Sequence, residues 1–246
     1  MTLSRNLALK IHFLLDECLP PIIRDNKWFM WFPLRLFYGR YAPLFQDFKK
    51  QAPFMSPEEM ASFYAKISSA PPQRKTDLNT RSIQDVLQSI LGEKVLEVGA
   101  GDLYLASLLS KEYQVTATDV YFPPDAVTNI AKSITLVQAP IEHLPFSDNQ
   151  FDTVVCTHTL EHVMYIKPAM MELRRVAKKR VIVIVPKQRS YRYTFDPHLH
   201  FFPYEFSLRL ALGKPLGPTS CKLVGGDWFY TEEIPELSDT RTEIGS

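Results

Sequence analysis

Apolar and polar positions follow one rhythm up to about residue 70 and a different one after about residue 80. In the first part apolar residues recur at helical spacing, near Leu7 to Leu15 and from Trp28 to Tyr38, and aromatic side chains are dense. Ser56-Pro57-Glu58-Glu59 then supplies a capping serine, a proline at the first helical position and a glutamate at the third. That order predicts a helix from Pro57 to about Ile67. Between the two parts, Ala70-Pro71-Pro72-Gln73-Arg74-Lys75-Thr76-Asp77 has the proline and charge content of a linker. The division expected is a helical extension over 1–79 and a second domain over 80–246.

In the second part short apolar runs alternate with helical patterns. Ser82 to Leu91 reads as a helix stopped by Gly92, and the strands expected are Val95 to Val98, Gln114 to Asp119, Ile134 to Gln138, Phe151 to Cys156 and Val181 to Pro186. Leu103 to Tyr113 and Pro168 to Lys178 are the intervening helices, the latter with basic residues at its C-terminal end where the dipole favours them. Val181-Ile182-Val183-Ile184-Val185 is apolar on both faces, as a parallel strand covered by helices must be. The fold predicted is α/β: a doubly wound, mostly parallel sheet with helices on both sides. Cys221 to Val224 and Trp228 to Thr231, around Gly225-Gly226, would add a hairpin at one edge.

Composition narrows the function classes. Net charge is +1, so no general basic field speaks for nucleic acid, and no long run of like charge occurs. Three widely spaced cysteines, Cys18, Cys156 and Cys221, are not a disulfide framework and suit a reducing compartment. Lys10, Asp16 and Glu17 interrupt the apolar residues from Ile11 to Leu19, so neither a secretion signal nor a membrane span is expected, and the location expected is cytoplasmic.

The chemistry is concentrated at Lys94-Val95-Leu96-Glu97-Val98-Gly99-Ala100-Gly101-Asp102, which reads as strand, glycine turn and helix start. Such a turn lets a ligand approach the main chain, and the helix behind it leaves N–H groups unpaired. A dinucleotide fingerprint requires G-x-G-x-x-G, but the frame from Gly99 gives G-A-G-D-L-Y, with Tyr104 in the last glycine's place. A pyrophosphate ligand is disfavoured accordingly. Asp119 ends the second strand about twenty residues beyond the turn, where a carboxylate can accept both hydroxyls of a ribose.

Two later motifs complete a set: Leu144-Pro145-Phe146-Ser147-Asp148-Asn149-Gln150-Phe151-Asp152, and Leu160-Glu161-His162. In order and spacing the four resemble the class I S-adenosylmethionine-dependent methyltransferases, specifically the broad group with a type 11-like domain, over roughly residues 80 to 206. The resemblance implies S-adenosyl-L-methionine as cofactor. It implies that Glu97, Gly99, Ala100 and Gly101 hold the methionine end, Asp119 the ribose and Ile141 to Glu142 the adenine, while Thr157 and His158 face the sulfonium. Pro140 stands where an acidic residue commonly meets the adenine amino group, so no side-chain contact there is expected.

A methyl acceptor must be aligned and sometimes deprotonated, and neutral histidine suits the second task. The candidates are His158, His198 and His200. The loop Lys187 to Phe202 follows the fifth strand, and its Arg189, Tyr191 and Arg192 are the residues expected to grip an acceptor phosphate or carboxylate. If extended, that loop would align Asp196, His198 and His200 on one face. Magnesium prefers oxygen ligands, and this chemistry does not require the transition metal that two imidazoles would suit, so no metal is expected. The aromatic stretch Trp28 to Tyr41 has three outlets: a cap over the acceptor pocket, peripheral contact with a membrane, or a dimer interface. The function expected is methyl transfer to an oxygen, less favourably a nitrogen, of a small-molecule, glycan or lipid-linked acceptor. The alternative is a catalytically silent module of the same fold that recruits a partner or membrane.

Overall fold

In a computed structural model, which describes residues 10, 13–67, 76–128, 133–193 and 195–236, seven strands form one sheet in the order β3-β2-β1-β4-β5-β7-β6. The strands are β1 Lys94–Val98, β2 Gln114–Asp119, β3 Ile134–Gln138, β4 Phe151–Thr157, β5 Ala177–Pro186, β6 Thr219–Val224 and β7 Asp227–Glu233. The first five pair in parallel, and β7 joins β5 antiparallel, with β6 beyond it as the expected edge hairpin. The strand order reverses between β1 and β4, so the crevice at their carboxyl ends is the place where an open sheet takes its ligand.

The helices are α1 Pro21–Arg24, α2 Lys27–Tyr38, α3 Ala42–Gln51, α4 Pro57–Ile67, α5 Thr80–Ser89, α6 Tyr104–Leu109, α7 Pro124–Thr128, α8 Ile166–Val176 and α9 Glu205–Leu212. The expected first amphipathic stretch, Leu7 to Leu15, lies largely outside the described residues, as do residues 70–75 of the linker. Helix α4 occupies the predicted span, and its capping box is formed: Ser56 Oγ accepts the Glu59 amide at 3.2 Å, while Glu59 Oε2 accepts the Ser56 amide at 2.8 Å.

Several boundaries differ from expectation. Helix α8 ends at Val176, before Lys178, and Ala177 starts β5 directly. There Ala177 pairs with Phe151 and Arg180 with Glu233, and sheet pairing on both sides outweighs local helix preference. Helix α6 is shorter than Leu103 to Tyr113: Leu103 takes the left-handed conformation (φ 61°) as its N-cap, and Ser110 is its C-cap.

One core lies on each face of the sheet. Leu96, Val154, Val181 and Val183 pack with α8 on one side, and Val95, Val155, Ile182 and Ile184 with α5 and α6 on the other. A third cluster joins the N-terminal helices to the loop after β5: Met30, Leu34, Tyr38 and Phe45 pack against Tyr191, Tyr193 and Phe195. A fourth sets Phe48 and Phe63 over Met164 and Leu199.

Candidate functional site

The strands place Glu97, Gly99 to Gly101, Asp119, Thr157 and His158 at one end of the sheet. Val98 is level with Thr118 on β2 and with Cys156 on β4, so the segments that follow these strands meet. The turn is pinned when the Gly99 and Ala100 amides donate to the Thr118 carbonyl at 2.8 and 3.1 Å. Gly99 (φ +74°) has no room for a side chain, since a Cβ there would come within 2.0 Å of Thr159 Oγ1. Gly101 (φ +49°) has nothing within 4 Å of that position. One glycine thus lets the β4 loop close on the turn, and the other leaves open space over it.

Asp119 accepts the Gly101 amide at 2.8 Å and the Tyr121 amide at 3.1 Å, one on each carboxylate oxygen. Each oxygen keeps acceptor capacity for a ribose hydroxyl. Burial raises its carboxyl above the ordinary range, opposed by those amides. Glu97 is buried more completely, and its Oε2 has no hydrogen-bond partner. Burial, opposed by the Ala106 amide and reinforced by Asp119, pushes its pKa up to about 8. Thr118 Oγ1 is a further buried polar atom without a partner. A cofactor carrying an ammonium, a sulfonium and two ribose hydroxyls fits this donor and acceptor set, because buried polar atoms otherwise go unsatisfied at a cost. Ile141 is buried in the core under α8, and Glu142, beside it, is partly exposed. Thr157 is buried at the end of β4.

The histidines stand differently from the expectation. His158, at positive φ (49°), lies between two buried carboxylates: Nδ1 is 3.4 Å from Glu161 Oε1 and Nε2 is 3.7 Å from Asp227 Oδ2. Burial alone would lower its pKa, but Asp227 and Glu161 outweigh that and push it up to about 10. The two carboxylates favour the protonated ring, which runs against the expected role as a neutral base. His198 Nδ1 meets Gln188 Oε1 at 2.6 Å, and its ring lies edge-on to His162, 4.7 Å between centroids. His200 turns elsewhere, its Nε2 2.9 Å from the Val163 carbonyl. The alignment of Asp196, His198 and His200 on one face is thus not formed, because the loop bends to fill the space beneath the N-terminal helices.

That bend also redirects the residues expected to grip an acceptor. Tyr191 is buried, with the Arg24 guanidinium 5.3 Å and the Lys49 ammonium 5.6 Å from its ring centre. Lys49 also donates to the Tyr191 carbonyl at 2.7 Å, and burial lowers its pKa to about 7 against the pull of Asp25 and Asp196. Arg189 pairs with Glu17 at 3.1 Å. Arg192 is exposed and its amide donates to Asp25 at 2.6 Å. Tyr191 and Arg189 fasten the extension to the domain.

Three residues at the site carried no sequence signal strong enough to find them. Thr159 closes on Gly99, as described. Asp227 opens β7, a strand remote in sequence. Tyr64, on α4, lies against the His162 ring with centroids 6.1 Å apart, and its hydroxyl is buried without a partner. Its pKa is raised by burial and by Glu161 and Asp119, which places the extension beside both carboxylates.

The sheet order, with its crevice at the switch point, is the fold found in S-adenosylmethionine-dependent methyltransferases. Residues 96–185 match the family model described as a methyltransferase domain. Among curated proteins, an uncharacterized protein of Methanocaldococcus jannaschii is 44% identical over 70 residues, covering 26% of this chain and 31% of that protein. The ubiquinone/menaquinone biosynthesis C-methyltransferase UbiE of Geotalea daltonii is 24% identical over 137 residues, covering 56% of this chain and 54% of that protein. The chain thus spans about a third to a half of the length of these relatives. Among solved structures, a SAM-dependent methyltransferase from Aquifex aeolicus shares the fold with TM-score 0.51 and 22% identity over 74% of this chain and all of that one. Phosphoethanolamine N-methyltransferase 1 of Haemonchus contortus, solved with phosphoethanolamine and S-adenosylhomocysteine, gives TM-score 0.53 and 17% identity over 77% of this chain and 52% of that one.

Proposed function

We propose that this protein transfers the methyl group of S-adenosyl-L-methionine to a hydroxyl oxygen of a small, glycan or lipid-linked acceptor. The observation that carries the cofactor assignment is Asp119, half-buried at the switch point and bonded to the Gly101 amide of an open glycine turn. In this reading Asp119 holds the ribose, Glu97 and the turn from Gly99 to Gly101 the methionine end, and Ile141 and Glu142 the adenine. Thr157 lies on the wall facing the sulfonium. The cofactor supplies an electrophilic methyl group; the chain orients the acceptor, keeps water out and accepts a proton. His198 and His200, on the loop after β5, are the candidates we retain for accepting that proton.

The extension covers the acceptor side, through Tyr64 at the site and the aromatic packing on the loop after β5. Its outer surface supports a membrane-associated acceptor. Trp28, Phe32 and Leu36 follow one helical face of α2 and are 83%, 73% and 73% exposed, with Lys27, Arg35 and Arg40 exposed around them.

Calorimetric titration with S-adenosylmethionine and S-adenosylhomocysteine tests the cofactor site. Asp119→Ala and Gly101→Val should each weaken binding at least about tenfold, the loss of one or more charge-assisted hydrogen bonds. Unchanged affinity in both removes the site assignment, and absence of binding by the unmodified protein favours a recruiting module with no transferase activity. Transfer of labelled methyl groups onto lipid and polysaccharide fractions identifies the acceptor.

A further inference from the structure

We propose that Glu161, His162 and His198 form a binding site for one divalent first-row transition ion. These residues can each present a ligand atom such that all three atoms lie within 4.8 Å of one another. Metal bonds of about 2.0–2.2 Å at tetrahedral angles hold ligand atoms roughly 3.3–3.6 Å apart, so closing on an ion draws the three atoms together by up to about 1.5 Å.

The case rests first on Glu161. It is fully buried, and neither carboxylate oxygen has a hydrogen-bond partner. His158 lies 3.4 Å from Oε1, in ion-pair range of one oxygen. His158 serves Oε1 only, and Oε2 stays buried without a donor, at a cost in free energy that a ligand on that oxygen would relieve.

The second argument is the setting of the two rings. His162 Nδ1 is 3.1 Å from the Pro197 carbonyl, and His198 Nδ1 is 2.6 Å from Gln188 Oε1. Facing oxygen acceptors, each Nδ1 carries the proton, and Nε2 is the nitrogen that would ligate. Gln188 is itself oriented, because its Nε2 donates to Tyr191 Oη at 3.1 Å. Histidine ligands are usually fixed in this way, by an outer oxygen on the other ring nitrogen.

Main-chain bonds bring the two loops together. The Leu199 and His200 amides donate to the Glu161 carbonyl at 2.7 and 3.0 Å, so the segment after β4 and the loop after β5 form one unit. Tyr64 shields the outer face of His162. Two imidazoles and one carboxylate select an ion of the zinc, cobalt, iron or manganese type over magnesium. Three protein ligands leave further positions on the ion, beside the wall assigned to the sulfonium. That such a position receives an acceptor oxygen rests on the methyltransferase reading; binding of the ion does not.

The test uses the full chain stripped with chelator and titrated with cobalt chloride and zinc chloride, followed by calorimetry and, for cobalt, by visible ligand-field absorption. One ion per chain should bind with micromolar affinity or better. Glu161→Gln and His198→Asn should each weaken binding about 100-fold or more, and Gln188→Leu, which removes only the outer oxygen, by about 10- to 100-fold. His143→Ala, an exposed histidine outside the group, should change nothing. Circular dichroism of the stripped variants establishes that they fold. Absence of stoichiometric binding by the unmodified protein, or full affinity in folded Glu161→Gln, overturns the proposal. Binding of S-adenosylhomocysteine, measured on the same preparation, separates failure of this site from failure of the cofactor site.

Discussion

Glu97 has been carried into the core by one β-strand, and the consequence is a stability that falls with pH. Its pKa is about 8 in the folded protein against an ordinary 4.5, so between those values the folded state holds a proton that the unfolded chain has released. The contribution of this group is fully present below pH 4.5, declines as pH rises to about 8 and is constant above. Glu97→Gln keeps the shape and removes the titration, so the variant should be more stable than the unmodified protein at pH 8.5 and show little advantage at pH 4.5. Urea midpoints at the two pH values measure this; an unchanged difference between proteins contradicts the burial of the charge. Gly99 makes a second residue-scale prediction. Alanine there meets Thr159 at 2.0 Å and must hold φ +74°, so Gly99→Ala should lose about 2–4 kcal/mol together with cofactor affinity. Thr159→Gly in the same chain should restore part of both, and absence of any recovery would show that the contact is not the cause.

At the scale of elements, α8 is locked to the antiparallel end of the sheet by one ion pair. Arg174 Nε and Nη2 donate to Glu232 Oε1 and Oε2 at 2.9 and 2.8 Å, and Tyr230 donates to the same carboxylate at 2.7 Å. Glu232 is fully buried, so Glu232→Ala leaves Arg174 without its counter-charge and should cost about 3–5 kcal/mol. Chemical denaturation measures the loss; a change under about 1 kcal/mol would mean that water reaches the guanidinium. The elements were largely legible in advance where local chemistry sets them. The Ser56 capping box, the β-branched run of β5 and the glycine turn after β1 each need only neighbours in sequence. The start of β5 at Ala177 and the end of α8 were not legible, because pairing with β4 and β7 decides them. Nor was the bend of the loop after β5, which depends on aromatic residues from α2 and α3.

Over the whole molecule, the extension faces two ways. Its inner aromatics pack on Tyr191, Tyr193 and Phe195 of the loop after β5, and Trp28, Phe32 and Leu36 remain on the outside. If that face meets a lipid surface, the protein should sediment with vesicles containing anionic phospholipid. Trp28→Ser combined with Phe32→Ser should then reduce the bound fraction at least about tenfold, since each ring contributes on the order of 1.5–3 kcal/mol when removed from water. Equal sedimentation of the two proteins would leave the face to another partner. Among the described residues, no helix is long and apolar enough to cross a membrane.

The sequence by itself determined the α/β alternation, the switch-point turn and the carboxylate of Asp119, because strand apolarity, glycine spacing and the β-α-β repeat are properties of adjacent residues. It also placed His198 and the loop after β5 near the site. Tertiary structure alone decided what each titratable group is. The protonated form of His158 is favoured because Asp227 arrives from β7, and Glu161 met His198 because two loops join through main-chain bonds. Tyr64 reached the site from a helix nearly a hundred residues before them. Charge state and metal affinity depend on distance through space and on exclusion of water, and neither is written in the order of residues along the chain.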